Sequence, residues 1–172
     1  MVKVLKVTKA DIDYEGFYKD ENLINDEGSI EVEANLGWVR VKKIVRAKAG
    51  LGIKAGSGIE AGWGIQAGWG IQAGWGIKAG EGIQAGSGIK AGSGIEAGSG
   101  IEAGSDIQAG WGIQAGSGIK AGSGIVSFYS GAVVAKWLSC LRIAVGFNIE
   151  EEQEIRTEIK KGKIILGKII SK

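Results

Sequence analysis

The sequence contains no histidine, no proline and a single cysteine. Histidine is the side chain whose unperturbed pKa lies near neutrality, so a catalytic general base lacks its ordinary residue. Cys140 cannot form an internal disulfide, and we interpret it as a small buried hydrophobe. A metal site also lacks its usual ligands, because only scattered carboxylates remain. These absences predict a protein that is not an enzyme and that holds no cofactor and no metal.

The sequence also has little excess charge and no long apolar run. The net charge is +2, and no region has the basic footprint of a nucleic-acid-binding protein. The start, MVKVLKVTKAD, alternates charge with valine and lacks the apolar core of a signal peptide. The stretch GAVVAKWLSCLRIAVGF is interrupted by Lys136 and Arg142, which disfavours a membrane span. We therefore expect a cytoplasmic protein with no membrane partner.

Glycine, in contrast, is abundant and recurs at fixed intervals. Twelve hexads of the form x-G-I-z-A-G run from Leu51 to Gly122, where x varies and z is Lys, Glu or Gln. A six-residue period predicts a parallel β-solenoid, in which Ile-z-Ala forms a short strand with Ile and Ala inside. The glycines on either side of x are predicted to turn a corner at positive φ. Asp106 replaces one of them and tolerates such a backbone.

The z residues predict the length of one coil. Residues one coil apart stack directly, and like charges there are unfavourable. An offset of three hexads pairs Glu60 with Lys78 and Lys78 with Glu96, and it produces no like-charged pair. An offset of two hexads places Lys78 beside Lys90. We therefore expect three hexads in each coil, and a triangular cross-section.

This period and its inward aliphatic residue resemble those of the hexapeptide-repeat, left-handed β-helix proteins over residues 47–128. The resemblance implies an all-β, left-handed solenoid and an oligomer, a trimer or a dimer. Acyltransferases of that group use a histidine base, which this sequence lacks, so a degenerate acyltransferase-like protein is kept only as an alternative. Their motif has a small residue four places after the aliphatic one, whereas that place here holds Ser, Trp, Glu or Leu. The AG-x-GI pattern also resembles uncharacterised proteins of bacterial and phage genomes.

Flanking segments are predicted to close the ends of the solenoid, whose open edges would otherwise recruit other chains. We expect an N-terminal β cap at 1–46, the solenoid at 47–146 and a C-terminal cap at 147–172. In the first segment VKVLKV, SIEVEA and WVRVKKIV alternate as strands do. Residues 133–145 also alternate, with the odd-numbered positions on one face. The C-terminal cap is predicted to contain a helix over 149–161, ended by Gly162, and then the strand KIILGKII.

Four tryptophans occupy the x position of the repeat: Trp63, Trp69, Trp75 and Trp111. Equivalent places hold serine and glutamate, and a close-packed interior could not accept all three residue types. The x side chains are therefore predicted to face outward or into a cap. Three hexads in each coil put the first three tryptophans on successive corners of one coil. If the flanks cover these rings, they are structural; if they are exposed, they are anchors for a partner.

The leading hypothesis is a non-catalytic binding or scaffold protein that contacts another protein, or its own copies, through these four tryptophans. A phage-encoded inhibitor of a host protein is a narrower version that rests on analogy. The alternative is a binder of carbohydrate or of single-stranded nucleic acid, whose bases stack on aromatic rings, although the weak charge disfavours nucleic acid. Ice binding is disfavoured because no threonine lies between Leu51 and Ser123.

Overall fold

The computed structural model describes residues 3–47, 52–127, 133–145, 154–166 and 168–169. These residues form 21 strands and one short 3₁₀ helix at Lys9–Asp11. In chain order the strands are β1 (Lys3–Val7), β2 (Leu23–Asn25), β3 (Gly28–Val32), β4 (Trp38–Val41), β5 (Val45–Ala47), β6 (Ile53–Ala55), β7 (Gly58–Ala61), β8 (Ile65–Ala67), β9 (Ile71–Ala73), β10 (Ile77–Ala79), β11 (Ile83–Ala85), β12 (Ile89–Ala91), β13 (Gly94–Ala97), β14 (Ile101–Ala103), β15 (Ile107–Ala109), β16 (Gly112–Ala115), β17 (Gly118–Ala121), β18 (Gly124–Ser127), β19 (Val133–Val145), β20 (Glu154–Leu166) and β21 (Lys168–Ile169).

From β2 to β15 each strand pairs in parallel with the strand three places further along the chain, so the strands stack into three faces. Face A contains β1, β3, β6, β9, β12, β15 and β18. Face B contains β2, β5, β8, β11, β14 and β17. Face C contains β4, β7, β10, β13 and β16. The chain is therefore an all-β parallel solenoid with three-sided coils, as the hexads predict.

One coil of the repeat is three hexads long. Ile71 pairs with Ile89, which pairs in turn with Ile107. The opposite charges at z therefore meet between neighbouring coils. Lys78 Nζ lies 3.5 Å from Glu96 Oε2, and Lys120 pairs in the same way with Glu102 on face B. The coil length deduced from the charge pattern is confirmed.

The Ile and Ala of each hexad fill the interior. Every such side chain from Ile53 to Ala121 is at most 4% exposed, while the z side chains between them are exposed or half-buried. This alternation is the period-2 pattern of a strand with one dry face. Each strand thus contributes one large and one small apolar side chain, and the core of the repeat contains no titratable group.

The corner glycines are not at positive φ, so that part of the prediction is wrong. Among the described glycines only Gly16 and Gly37 have positive φ, and both precede the repeat. Asp106 does not have positive φ either. Among the described residues other than glycine, only Asn35 has positive φ. The repeat therefore uses glycine for a reason other than backbone freedom.

That reason is the close approach of successive coils. A Cβ on Gly92, the glycine that follows Ala, would lie 1.9 Å from the carbonyl oxygen of Gly74 in the preceding coil. The glycine that precedes Ile has more room, since a Cβ on Gly88 would lie 3.3 Å from the carbonyl oxygen of Asp106. This second position is the one at which Asp106 replaces glycine, and it is accepted because space is available.

The N-terminal segment belongs to the same three faces. β3, β4 and β5 pair with β6, β7 and β8, so the strands predicted in VKVLKV, SIEVEA and WVRVKKIV are confirmed. The coils of this segment are longer than three hexads, as the pairing of Leu5 with Ile30 and of Val45 with Ile65 shows. Pairing continues across residue 46, and the division there into cap and solenoid stays a prediction.

The C-terminal helix is the second expectation that the structure corrects. β20 is extended over Glu154–Leu166, so the helix predicted over 149–161 is wrong for 154–161, and 149–153 lie outside the described residues. In β20, Ile155 pairs with Val133 and Ile159 with Leu138. The free edge of β19 offers backbone hydrogen bonds along its length. Strand pairing with this edge replaces the local hydrogen bonds that a helix would form.

β19 turns around a whole coil instead of lying on one face. Its residues pair first with β16, then with β17 and then with β18. The predicted alternation over 133–145 therefore fails in the middle: Leu138 and Cys140 are buried, whereas Ser139 is half-buried. A strand that bends around two corners changes which of its sides faces the core. The side chains at 137, 141 and 145 lie outside the described part of the chain.

Candidate binding surface

The tryptophan belt, defined as Trp63, Trp69 and Trp75, surrounds one coil of the solenoid. Trp63 lies between β7 and β8, Trp69 between β8 and β9, and Trp75 between β9 and β10, so each occupies a different corner. The three residues are 48%, 64% and 52% exposed. Of the two positions predicted for x, outward or into a cap, these three side chains take the outward one.

Trp111 lies on the corner of Trp75, two coils further along, and is 54% exposed. The backbone N–H of Ser93 donates to the carbonyl oxygen of Trp75 at 2.6 Å, and that of Trp111 donates to Ser93 at 3.1 Å. Every x residue from Glu81 to Ser123 donates to the previous coil in this way. Because the backbone of the corner is satisfied by these bonds, its side chain is not needed to hold the turn.

Trp63 is tied to the N-terminal segment by a cation. Lys43 Nζ lies 5.6 Å from the centroid of its ring, within the range of a cation–π interaction. The same ammonium pairs with Glu21 and holds the pKa of that carboxyl below its usual range. One member of the belt therefore has a charged neighbour of its own.

A fifth tryptophan, Trp38 at the start of β4, fills a groove on face C. A Cβ on Gly58 would lie 2.5 Å from Cδ2 of this ring, and one on Gly76 would lie 2.8 Å from Cη2. The indole therefore lies across two successive coils, on the glycines that precede Ile. The hexad pattern does not include Trp38. Alignment of Trp38-Val39-Arg40-Val41 with Gly58-Ile59-Glu60-Ala61, which pair in the structure, would have placed Trp38 at the position of the glycine that precedes Ile.

Within the residues that the structure describes, nothing fills the corresponding grooves on the other two faces. Groove A, on face A, has a volume of about 600 Å³ and is lined by Gly52, Gly70, Gly88 and Asp106, by the x residues Trp69, Ser87 and Ser105, by the z residues Lys54, Gln72, Lys90 and Gln108, and at its N-terminal end by Val4, Ser29 and Glu31. Groove B, on face B, has a volume of about 550 Å³ and is lined by Gly64, Gly82, Gly100 and Gly118, by Trp63, Glu81 and Ser117, and by Gln66, Gln84, Glu102 and Lys120. Each groove thus has a glycine floor, with x side chains along one rim and z side chains along the other.

Cys140 lies apart from these grooves and is buried, as predicted. Its Sγ donates a hydrogen bond to the carbonyl oxygen of Arg142 at 3.3 Å. Burial raises the pKa of the Cys140 thiol, which keeps it in the unreactive protonated form at neutral pH.

The described residues contain neither a candidate metal-binding cluster nor a candidate membrane-spanning helix. No group of three or more His, Cys, Asp or Glu residues in this part of the chain could hold a metal ion. Within the same residues, no helix combines the length and the apolar character that crossing a membrane requires.

In comparisons with known proteins, no family model, no curated protein and no solved structure matches the chain.

Proposed function

We propose that this chain is a non-catalytic binding protein that presents exposed tryptophan on a rigid solenoid to a protein partner. The tryptophan belt carries the proposal. Its three rings are 48% to 64% exposed at a position where the repeat elsewhere places serine, so the fold does not require them. Tryptophan is among the residues most enriched at interface hot spots.

The rigidity of the surface supports the same conclusion. Strand pairing on three faces and the corner hydrogen bonds hold the belt in one geometry, and a preorganised surface loses little entropy on binding. Around the rings the z side chains form a polar border, in which Gln66 Nε2 donates to Gln84 Oε1 at 2.9 Å. Aromatic anchors inside a polar rim are the usual anatomy of a protein interface.

Replacing Trp63, Trp69 and Trp75 together by serine tests the proposal. We expect the melting temperature to change little, because serine occupies the same corners in other coils. Proteins retained by the wild-type chain on an affinity column should be lost. For a purified partner, the affinity should fall by about 2 kcal/mol or more, roughly thirtyfold. The matched control changes Ser87, Ser93 and Ser99, which are also x residues, to alanine.

Two outcomes would contradict the proposal. The triple serine variant could melt far below the wild type, which would make the belt structural. Alternatively, the wild type and the variant could retain the same proteins.

A second candidate function, carbohydrate binding, is favoured by groove A. Trp69 lies on one rim of this groove and the amide side chains of Gln72 and Gln108 lie on the other, a combination of aromatic wall and polar groups that suits a small ligand. Titration of the tryptophan fluorescence with glycans and with oligonucleotides separates this function from protein binding. A saturable shift with a glycan would support it, whereas a shift with an oligonucleotide would favour single-stranded nucleic acid.

Three narrower hypotheses accompany the proposal. Kinship with the hexapeptide-repeat, left-handed β-helix proteins is supported by the coil of three hexads and its inward isoleucine. Self-association as a dimer or trimer would bury part of the belt and is tested by light scattering at tens of micromolar. Inhibition of a host protein by a phage product is tested once a protein partner is purified.

A further inference from the structure

Trp38 shows what the grooves of this solenoid accommodate. Its ring lies over Gly58 and Gly76, whose backbones are about 4.8 Å apart as neighbours in a sheet. Two such glycines offer a flat floor without side chains, and the residues at x and z form its rims. Ser57 on one rim is only 5% exposed. An indole therefore fits over the floor of this kind of groove.

Groove A repeats the arrangement over Gly70 and Gly88, with Trp69 on one rim and Lys90 on the other. Apart from its chain neighbours Trp69 and Ile71, the atom nearest to a Cβ on Gly70 would be the carbonyl oxygen of Gly88 at 3.2 Å, and no side chain of another residue would approach within 4 Å. At the end of the groove, Oδ1 of Asp106 lies towards Gly124 in the following coil. The described residues thus leave a floor of two glycines uncovered, which is the area that Trp38 occupies on face C.

Groove A contains one cation without a carboxylate at the neighbouring z positions: Lys90 pairs in register with Gln72 and Gln108, whereas Lys54 pairs in register with Glu31. Among the lysines at z, Lys78 and Lys120 pair with glutamates of neighbouring coils. Lys54 and Lys90 have no ion-pair partner within the described residues. Both line groove A and are two coils apart, with Gln72 between them. On this rim Lys90 is therefore an ammonium group between two neutral amide side chains, and the carboxylate of Glu31 lies at the far end of the row.

We propose that groove A is the docking site for an aromatic side chain of the partner protein that is followed in the partner's sequence by an acidic residue. The ring lies flat on Gly70 and Gly88 beside Trp69, and the carboxylate pairs with Lys90. This inference rests on the proposed function, because it names what the partner presents to the solenoid.

Three peptides test the site by NMR titration of the full-length, ¹⁵N-labelled chain: Gly-Ser-Trp-Asp-Ser-Gly, its Trp-Lys counterpart and its Ala-Asp counterpart. We expect the Trp-Asp peptide to shift the amide signals of Gly70 and Gly88 and the indole N–H of Trp69. It should bind about threefold more tightly than the Trp-Lys peptide at low salt, as a half-exposed ion pair allows, and this preference should fall at high salt. The Ala-Asp peptide should leave the signals in place.

Two variants make the site specific. Gly88→Asn puts a side chain on the floor at a position type where Asp106 is already accepted, and it should abolish binding. Gly94→Asn makes the same change on face C, where a Cβ would lie 3.6 Å from the carbonyl oxygen of Gly112, and it should leave binding unchanged. Lys90→Gln should remove the preference for Trp-Asp over Trp-Lys and retain binding of the ring.

The inference is wrong if the peptides shift no signals in groove A, or if Gly88→Asn binds them as the wild type does. In that case the proposed function still stands when the triple serine variant loses its partner on the affinity column. Binding of the Trp-Asp peptide that is sensitive to Gly88→Asn supports groove A even when the column retains nothing.

Discussion

The N-terminal segment, residues 3–47, and the repeat, residues 52–127, use the same three faces but hold their turns in different ways. In the N-terminal segment the coils are longer than three hexads and differ in length from one to the next. Side chains fix its turns: Asp13 Oδ1 accepts from the amides of Glu15 and Phe17 at 2.9 Å, and Arg46 pairs with Asp26. In the repeat every coil has the same length of three hexads, and backbone hydrogen bonds join each corner to the corner of the previous coil.

The difference explains why the candidate surface lies on the repeat. A turn that depends on Asp13 or Asn25 cannot exchange those residues without losing its hydrogen bonds. A corner of the repeat keeps its backbone bonds whether x is serine, glutamate or tryptophan. The residue type at x can therefore vary without loss of these hydrogen bonds, and the tryptophan belt occupies three such positions.

The largest effect expected from this comparison comes from removing a core isoleucine. Ile89 is 1% exposed and is paired on both sides, so Ile89→Ala should cost about 4 kcal/mol of unfolding free energy. Leu23→Ala removes an equally buried side chain, but β2 pairs only with β5 among the described strands. Because a solenoid opens from its ends, this second variant should increase amide exchange mainly over 3–47. Hydrogen exchange and thermal melting distinguish them, and equal exchange in both regions would contradict the comparison.

A smaller effect is expected from the glycines that follow Ala. A Cβ on Gly92 would clash with the backbone of Gly74 at 1.9 Å, so Gly92→Ala should cost about 3 kcal/mol. Gly88→Ala is the matched control, because its Cβ has 3.3 Å of room and should change stability by less than about 1 kcal/mol. Chemical denaturation of the two variants measures the difference. Equal stability would show that the coils separate more easily than the structure implies.

Substitution of a glycine in the N-terminal segment should destabilise the fold for a different reason, which is backbone strain. Gly37 has φ +73° and nothing within 4 Å of a Cβ, so Gly37→Ala should cost about 1 to 2 kcal/mol through backbone strain. Gly37→Asn should recover most of this loss, since asparagine tolerates that backbone, as Asn35 does at φ 68°. In the repeat, Gly92→Asn should recover nothing. Chemical denaturation measures the stability of these variants. If asparagine restored stability at both Gly37 and Gly92, backbone strain would not be the cause at Gly37 alone, and lack of space would not be the cause at Gly92.

The repeat could be predicted because every hexad has the same pattern of inward and outward side chains. Ile59 and Ala61 point inward for the same reason as every later pair. The charges at z selected a coil of three hexads, because that length pairs Glu60 with Lys78 whereas two hexads would place Lys78 beside Lys90. The reason for the corner glycines could not be deduced in this way. Positive φ and close approach of two coils both favour glycine, and only coordinates separate them.

Contacts between segments that are distant in the sequence determined the parts of the fold and of the surface that the sequence did not predict. The segment around Ile155 and Ile159 has a helical pattern, but the edge of β19 converts it into a strand. The outward position of Trp69 could be predicted from serine at equivalent places, whereas groove A could not. Its floor became visible only through the contact of Trp38, which precedes the hexads, with Gly58.

The smallest expected effect is an acid transition confined to the N-terminal segment. The pKa of Asp11 is held at about 2, against an ordinary 3.8, first by a hydrogen bond from Lys19 and then by the amide and hydroxyl of Thr8. Because the pKa is lower in the folded chain than in the unfolded one, this carboxylate stabilises the fold fully above about pH 4 and loses its effect as the pH falls towards 2. We expect the turn from Thr8 to Lys19 to lose amide protection in that window, while the isoleucine and alanine core of the repeat keeps its protection.

An NMR titration of the full chain from pH 5 to pH 1.5 measures both regions at once. Lys19→Met should raise the pKa of Asp11 towards its ordinary value and start the loss of protection at a higher pH, since the largest cause of the lowered pKa is removed. Lys90→Met makes the same substitution in the repeat, far from Asp11, and should leave the Asp11 titration unchanged. If amide protection is lost first in the repeat, the contrast between a turn held by titratable side chains and a corner held by backbone bonds is wrong.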